Sequence, residues 1–152
     1  MSGTYTQIYL HFIFNVDGKE NLIHNSFSGE VCKYITGTVQ GFSYGHKMIR
    51  INCVPDHIHM LVGFRPVQSI SDFVRDVKKP ASKFINRQSW MKFHFSWMEG
   101  YGCFSIGRQG ITDICNYIDK QREHHQRISF EEEYSNLLRK YDIVYKPEYF
   151  LI

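Results

Sequence analysis

The chain has 152 residues and a mass of 18.0 kDa, which suits a single domain over residues 1–152 with its own hydrophobic core. A net charge of +3 and a pI near 8.6 neither require nor exclude nucleic acid as a partner. The four cysteines form no Cys-x-x-Cys pair, and neither a signal-like N-terminus nor an apolar stretch of ~20 residues is present. We therefore expect a soluble cytoplasmic protein rather than a disulfide scaffold or a membrane protein.

The first half of the chain has the pattern strand, helix, strand, strand. Residues 4–14 are predicted to form a strand that leads into turn-forming residues, because Ile8, Leu10, Phe12 and Phe14 alternate with Gln7, Tyr9, His11 and Ile13. Residues 26–40 carry apolar side chains at helical spacing. Residues 48–54 and 57–64 are predicted strands, and the Pro55-Asp56 pair between them indicates a hairpin.

The pattern continues with a helix and then an aromatic, glycine-rich strand region. Residues 69–87 are predicted to be helical, with a kink or break at Pro80, because proline removes a backbone donor. Residues 93–95 indicate a strand, and the segment 100–106 follows as an aromatic, glycine-rich stretch.

Two more helices are predicted, one over residues 111–127 and one that begins after Ser129. Ser129 and Glu132 match the spacing of a capping box. The order β-α-β-β-α-β followed by helices is typical of an α+β, ferredoxin-like (RRM-like) fold, in which an antiparallel sheet carries helices on one face. The opposite face of the sheet is then expected to be free.

The sequence His57-Ile58-His59 lies at the start of a predicted strand. Successive side chains of a strand point to opposite faces, so His57 and His59 are expected on the free face while Ile58 and Met60 pack in the core. Two adjacent imidazoles can hold a divalent cation if other elements supply further ligands. A lone His-x-His is more often structural, so the case for a metal site depends on finding residues that could supply the further ligands.

Tyr117 and Gln121 lie one turn apart on a flank of the predicted helix 111–127. A carboxamide oxygen can serve as a metal ligand, and a phenol can act as a nucleophile once it loses its proton. Metal proximity, His124 or His125 could assist that loss, and the sequence does not choose among them.

These motifs and their order resemble the single-tyrosine HUH transposases of insertion sequences, a group that includes the IS200-like and REP-associated tyrosine transposases. The resemblance runs from the first strand through His57-Ile58-His59 and the aromatic segment 97–104 to residues 116–121, with His124-His125 behind them. It implies a DNA transposase that cleaves and rejoins single-stranded DNA at insertion-sequence ends through a 5′-phosphotyrosine.

The resemblance also implies the roles of individual residues. His57, His59 and Gln121 would bind a divalent metal, Mg²⁺ or Mn²⁺, and Tyr117 would attack the scissile phosphate. The implied partners are single-stranded DNA with hairpin ends and a second copy of the chain, in a homodimer whose tyrosine helices can complete each other's sites. The implied location is the nucleoid of a bacterial or archaeal cell.

The second predicted helix is rich in basic residues that could contact DNA phosphates. These candidates are Arg75, Lys78, Lys79, Lys83 and Arg87. An ordinary solvated helix face would have the same composition, so both interpretations stay open.

Three other classes of protein share parts of this pattern. Histidine-triad nucleotide hydrolases need a third strand histidine, where this chain has Leu61. A structural zinc module is disfavoured because the histidines and cysteines lack paired ligand spacing. A domesticated relative that binds hairpin DNA without transposition remains the alternative.

Overall fold

The computed structural model describes residues 3–18 and 22–146, which form a four-stranded sheet and five α-helices. In chain order the elements are β1 (Tyr9–Asn15), α1 (Asn25–Gly41), β2 (Lys47–Val54), β3 (His57–Gly63), α2 (Ile70–Arg87), β4 (Gly102–Ile106), α3 (Ile111–Asp119), α4 (Gln121–His124) and α5 (Phe130–Lys140). A 3₁₀ turn, Arg108–Gly110, precedes α3. In the part of the chain described, no helix combines the length and apolarity needed to cross a bilayer.

The strands lie in the order β2-β3-β1-β4, and every neighbouring pair is antiparallel. This is the predicted ferredoxin-like arrangement, which is therefore confirmed. β3 is an interior strand, so hydrogen-bond ladders on both sides fix the backbone of His57 and His59. In the ladder with β1, His57 pairs with Asn15 and His59 pairs with Ile13.

One face of the sheet packs against α1 and α2 and forms the main hydrophobic core. The alternating side chains of β1 and β3 point into it, as predicted from their period of two. The fully buried members from these strands are Phe12, Phe14, Ile58, Met60 and Val62. Ile35 from α1 and Phe73 from α2 cover them.

The opposite face is covered as well, so the expectation of a free face is wrong. Phe130 and Leu138 of α5 pack against Ile13 and Phe104 of the sheet. Cys115 and Ile118 of α3 pack on Leu61 in the same way. These helices have apolar stripes that need burial, and the sheet offers apolar side chains between its histidines. His57 and His59 consequently lie in the interior, with no exposed surface.

Helix α5 approaches the sheet closely at Gly102. A β-carbon at this position would lie only 2.7 Å from the Tyr134 hydroxyl, which is closer than packing permits. The Ser129 side chain accepts a hydrogen bond from the backbone N–H of Glu132 at 3.2 Å, so the predicted N-cap is present. The glycine and the cap together fix where α5 sits over β4.

Several predicted boundaries differ from the structure. β1 begins at Tyr9 rather than at residue 4, and residues 93–95 are not a strand, although Trp97 makes an isolated bridge with Val16. Within residues 3–18 and 22–146, neither segment has a neighbouring strand with which to continue a ladder.

Two helix predictions also need correction. Helix α2 is continuous through Pro80, so the predicted break is wrong, and the burial of Val77 and Ala81 holds the helix on both sides of the proline. The predicted helix 111–127 is instead α3 and α4, because Lys120 leaves helical geometry at φ −96° and ψ 15°.

Candidate metal and tyrosine site

His57 is oriented by the residue that precedes it. Its Nδ1 lies 2.7 Å from the Asp56 carboxylate and donates a hydrogen bond to it, so Nε2 faces the space beneath α4 and α5. A carboxylate partner on the outer nitrogen is the usual way in which a protein orients a metal-binding imidazole. Burial opposes the charged imidazolium, but Asp56 and Glu133 outweigh it and raise the pKa of His57.

His59 has an imidazole partner, His11 of β1. His11 Nε2 lies 2.8 Å from His59 Nδ1, and the two rings stack with centroids 5.0 Å apart. Because both side chains are fully buried, the Nδ1–Nε2 contact fixes which nitrogen of His59 faces inward. His11 was not predicted as a site residue; it lies on the same face of β1 as Ile13.

Tyr117 and Gln121 meet the two histidines within one chain. Gln121 Oε1 lies 3.2 Å from His57 Nε2 and 3.0 Å from His125 Nε2. The Tyr117 ring stands edge-on to His59, with centroids 5.5 Å apart. The structure therefore brings together all four residues that the sequence singled out for the metal and the nucleophile, and Gln121 is fully buried among them.

Glu133 of α5 lies at the centre of this cluster and was not predicted. Its Oε1 is 3.1 Å from His59 Nε2, 3.3 Å from His57 Nε2 and 3.2 Å from His125 Nε2. Its Oε2 accepts a hydrogen bond from the Tyr117 hydroxyl. The only sequence signal was a carboxylate three residues after Phe130, on the apolar stripe of a helix.

Residues 4–121 match the model of the family described as Transposase IS200 like. The chain belongs to the IS200-like transposase family. Two curated relatives, the transposases for insertion sequence element IS200 of Salmonella typhimurium (strain LT2) and Salmonella typhi, are each 30% identical over 82 residues. That alignment covers 51% of this chain and 53% of each relative, so the chain spans about half the length of these relatives.

Two solved structures share the fold of this IS200-like family member. A putative transposase from Deinococcus radiodurans has a TM-score of 0.58 at 20% identity, and the match covers 80% of this chain and 95% of that one. A REP-associated tyrosine transposase bound to a REP hairpin has a TM-score of 0.61 at 13% identity, and the match covers 84% of this chain and 74% of that one. At these identities the likeness concerns the fold alone.

The electrostatics of the family member's site favour a charged Glu133 and a neutral phenol. Burial disfavours the carboxylate charge, but hydrogen bonds from His125, His57 and His59 hold the pKa of Glu133 well below its usual range. Burial and the adjacent Glu133 charge raise the pKa of Tyr117 above its usual value. The site therefore keeps the Tyr117 phenol protonated, as a hydrogen-bond donor to Glu133.

The five basic candidates on α2 fall into two groups. Lys78 is used within the chain, since its Nζ donates to the backbone oxygens of Met98 at 2.9 Å and Gly100 at 2.6 Å, and burial lowers its pKa to about 8. The other four recur every fourth residue and are exposed, so they form one basic stripe. Its members are Arg75, Lys79, Lys83 and Arg87. Arg75 also pairs with Asp72 and Asp76 at 3.1 Å.

The buried histidine pair predicts that acid weakens the fold. Burial, reinforced by the neighbouring imidazole, lowers the pKa of His11 to about 3, and burial lowers that of His59 to about 4. The unfolded chain takes up these protons below pH ~6.5, whereas the folded chain does not until pH 3–4, so stability falls across that window. The His11→Gln variant keeps a hydrogen-bond partner for His59. We expect it to remove the part of the acid-induced loss of stability that is due to His11.

Urea unfolding at pH 7 and pH 5 measures the effect. Between these values the free energy of unfolding of the wild-type chain should fall by about 2 kcal/mol more than that of His11→Gln. His94→Gln removes an exposed histidine and should follow the wild type. Parallel curves for the wild type and His11→Gln would contradict the prediction.

Proposed function

We propose that this protein cleaves and rejoins single-stranded DNA at insertion-sequence ends through a 5′-phosphotyrosine on Tyr117. The observation that carries the proposal is the Tyr117 hydroxyl, which hydrogen-bonds to Glu133 beside the inward nitrogens of His57 and His59. Membership of the IS200-like family supports transposition as the process. The likeness to a REP-associated tyrosine transposase bound to a REP hairpin supports hairpin-ended DNA as the partner.

The reaction needs one nucleophile and no nucleotide cofactor. The Tyr117 oxygen attacks the phosphorus of a phosphodiester, an O–P bond to tyrosine forms, and the bond from phosphorus to the 3′ oxygen breaks. One DNA end leaves as a free 3′ hydroxyl, and the 5′ phosphate stays on Tyr117. Attack by another strand's 3′ hydroxyl reverses the step, which joins DNA and restores the phenol.

The proton that Tyr117 loses points at Glu133 Oε2. His124 Nε2 lies 3.3 Å from the same oxygen. The sequence had offered His124 or His125 as the base. The hydrogen bond makes Glu133 the nearest acceptor, although its lowered pKa makes it a weak base, and His124 lies next to it.

The buried donors suit a divalent metal such as Mg²⁺ or Mn²⁺. Nε2 of His57, Nε2 of His59 and the Gln121 carboxamide oxygen are one set of candidate ligands, and all three side chains are fully buried. A bound ion would neutralise charge on the scissile phosphate and orient it. The chain's own contribution is to hold the imidazoles through Asp56 and His11, so that their inward nitrogens are fixed before DNA arrives.

A homodimer remains part of the proposal. Tyr117 contacts the histidine cluster of its own chain, so one subunit contains every proposed site residue. A dimer would then serve to hold two DNA ends together. Alternatively, the subunits could exchange their tyrosine helices, so that each Tyr117 completes the site of its partner. The proposed place of action is the bacterial or archaeal nucleoid.

Covalent capture tests the proposal directly. The chain is incubated with labelled single-stranded oligonucleotides that contain a hairpin, with Mg²⁺ or Mn²⁺, and run on a denaturing gel. We expect a labelled protein band and a released fragment with a free 3′ hydroxyl. Hairpin binding without any adduct would instead support the alternative, a domesticated hairpin-binding protein.

The basic stripe on α2 is proposed to contact DNA phosphates. Replacing Lys79 and Lys83 together by alanine should weaken hairpin binding and reduce the slope of log affinity against log salt by about 2, one unit per lost phosphate contact. The matched control is Lys33→Ala with Lys47→Ala, which removes equal charge from exposed positions on α1 and β2. Binding titrations at several salt concentrations measure both slopes, and equal changes in the two double variants would mean that only net charge matters.

A further inference from the structure

The donor atoms around Glu133 form a compact group that includes residues outside the ligand set predicted from the sequence. A nitrogen of His57, a nitrogen of His125 and an oxygen of Glu133 all lie within 4.8 Å of one another. His59 Nε2 adds a further donor 3.1 Å from the same Glu133 oxygen. The side chains come from β3, from the turn after α4 and from α5, so three separate segments converge on one point.

The carboxylate is held in place rather than merely present. Glu133 is 2% exposed, and the flanking Phe130 and Tyr134 are buried against the sheet. A buried charge is costly unless partners compensate for it, so a carboxylate on an apolar helix stripe requires an explanation. The convergence that lets one oxygen contact three imidazole nitrogens also suits a single cation among the same atoms.

We propose that Glu133 and His125 are ligands of the metal ion together with His57 and His59. This inference rests on the proposed function, since it concerns the same site, and it changes the chemistry of that site. His57, His59 and Gln121 alone are neutral, whereas Glu133 adds a negative charge and His125 a third imidazole.

Two consequences follow for metal binding. An anionic ligand attracts a divalent cation directly, so the chain should bind metal in the absence of DNA. Imidazole-rich sites follow the Irving–Williams order and favour transition metals, so Mn²⁺ and especially Co²⁺ and Zn²⁺ should bind more tightly than Mg²⁺.

Calorimetric titration of the full, metal-free chain with Mn²⁺, in the absence of DNA, tests the inference. Glu133→Gln keeps the shape and an oxygen acceptor but removes the charge, and it should weaken Mn²⁺ binding at least tenfold. Glu132→Gln is the matched control, because it makes the same change at an exposed position of the same helix and should bind as the wild type does. His125→Gln should also weaken binding tenfold or more.

Several outcomes would overturn the inference. They are no Mn²⁺ binding by the folded wild-type chain, equal or tighter binding by Glu133→Gln, or Mg²⁺ binding as tightly as Mn²⁺. If Glu133→Gln does not fold by circular dichroism, X-ray absorption of the Zn²⁺-loaded wild-type chain replaces it. Three coordinated imidazoles would then support the inference and two would contradict it.

The proposed function can fail or hold independently of this result. Covalent adduct formation by Tyr117, with no metal bound in the absence of DNA, would leave the function in place and reject Glu133 as a ligand. Tight Mn²⁺ binding that depends on Glu133, with no adduct on any hairpin substrate, would support Glu133 as a ligand and reject the proposed function.

Discussion

Replacing Tyr117 with phenylalanine is expected to abolish the covalent DNA adduct and to leave hairpin binding nearly unchanged. The variant loses a single oxygen, the atom proposed to attack phosphorus, so cleavage should fall at least ~10³-fold. Its ring keeps the edge contacts with His59 and His11, whose centroids lie 5.5 and 6.3 Å away. Adduct yield on a denaturing gel and hairpin affinity in a binding titration measure the two effects.

Tyr34→Phe is the matched control for this experiment. Tyr34 belongs to α1 and stacks on Phe84 with centroids 4.2 Å apart, on the opposite side of the sheet from the site. It should retain full adduct formation. An adduct that survives in Tyr117→Phe would mean that another side chain is the nucleophile.

Replacing His57 with alanine is the second change with a large expected effect. The variant removes the nitrogen that faces Glu133 and Gln121, and it leaves Asp56 without its imidazole partner. Loss of a proposed metal ligand should cost at least as much as loss of an outer-shell partner, so we expect cleavage to fall about 100-fold or more. Hairpin binding should fall much less, because the proposed phosphate contacts of the basic stripe on α2 are unaffected.

The His57 experiment needs a check on folding, since the side chain is fully buried. Circular dichroism and thermal unfolding of the variant establish whether the fold persists. His94→Ala, at an exposed position, should match the wild type in every assay. Equal loss of cleavage and of hairpin binding in His57→Ala would point to a folding defect instead of a metal role.

The order of sheet and helices was predictable because local patterns specify it. Strict alternation over Ile58, Met60 and Val62 fixed which face of β3 is buried against α1 and α2, and hence that His57 and His59 point the other way. The helix over residues 111–119 and its flank could also be predicted from spacing. These signals depend on neighbours within a few residues, which is the range over which sequence patterns are informative.

The rest of the site depends on contacts between distant segments. Glu133 is 74 residues from His59, and His11 is 48 residues from it, so no local pattern relates them. The family match ends at residue 121, before α5 begins, so Glu133 lies outside the matched region. The covered second face was missed for the same reason, because α5 docks on side chains of β1 and β4 that are remote in sequence.

The position of α5 also determines when the site can exist during synthesis. The ribosome produces β1 to β4, up to Ile106, before it adds Glu133. Until α5 docks, Ile13 and Phe104 lack their covering partners and the Tyr117 hydroxyl lacks its carboxylate. Translation that stops before Phe130 therefore yields a sheet whose Ile13 and Phe104 are uncovered and a cluster without Glu133, so only chains made past α5 can assemble the whole site.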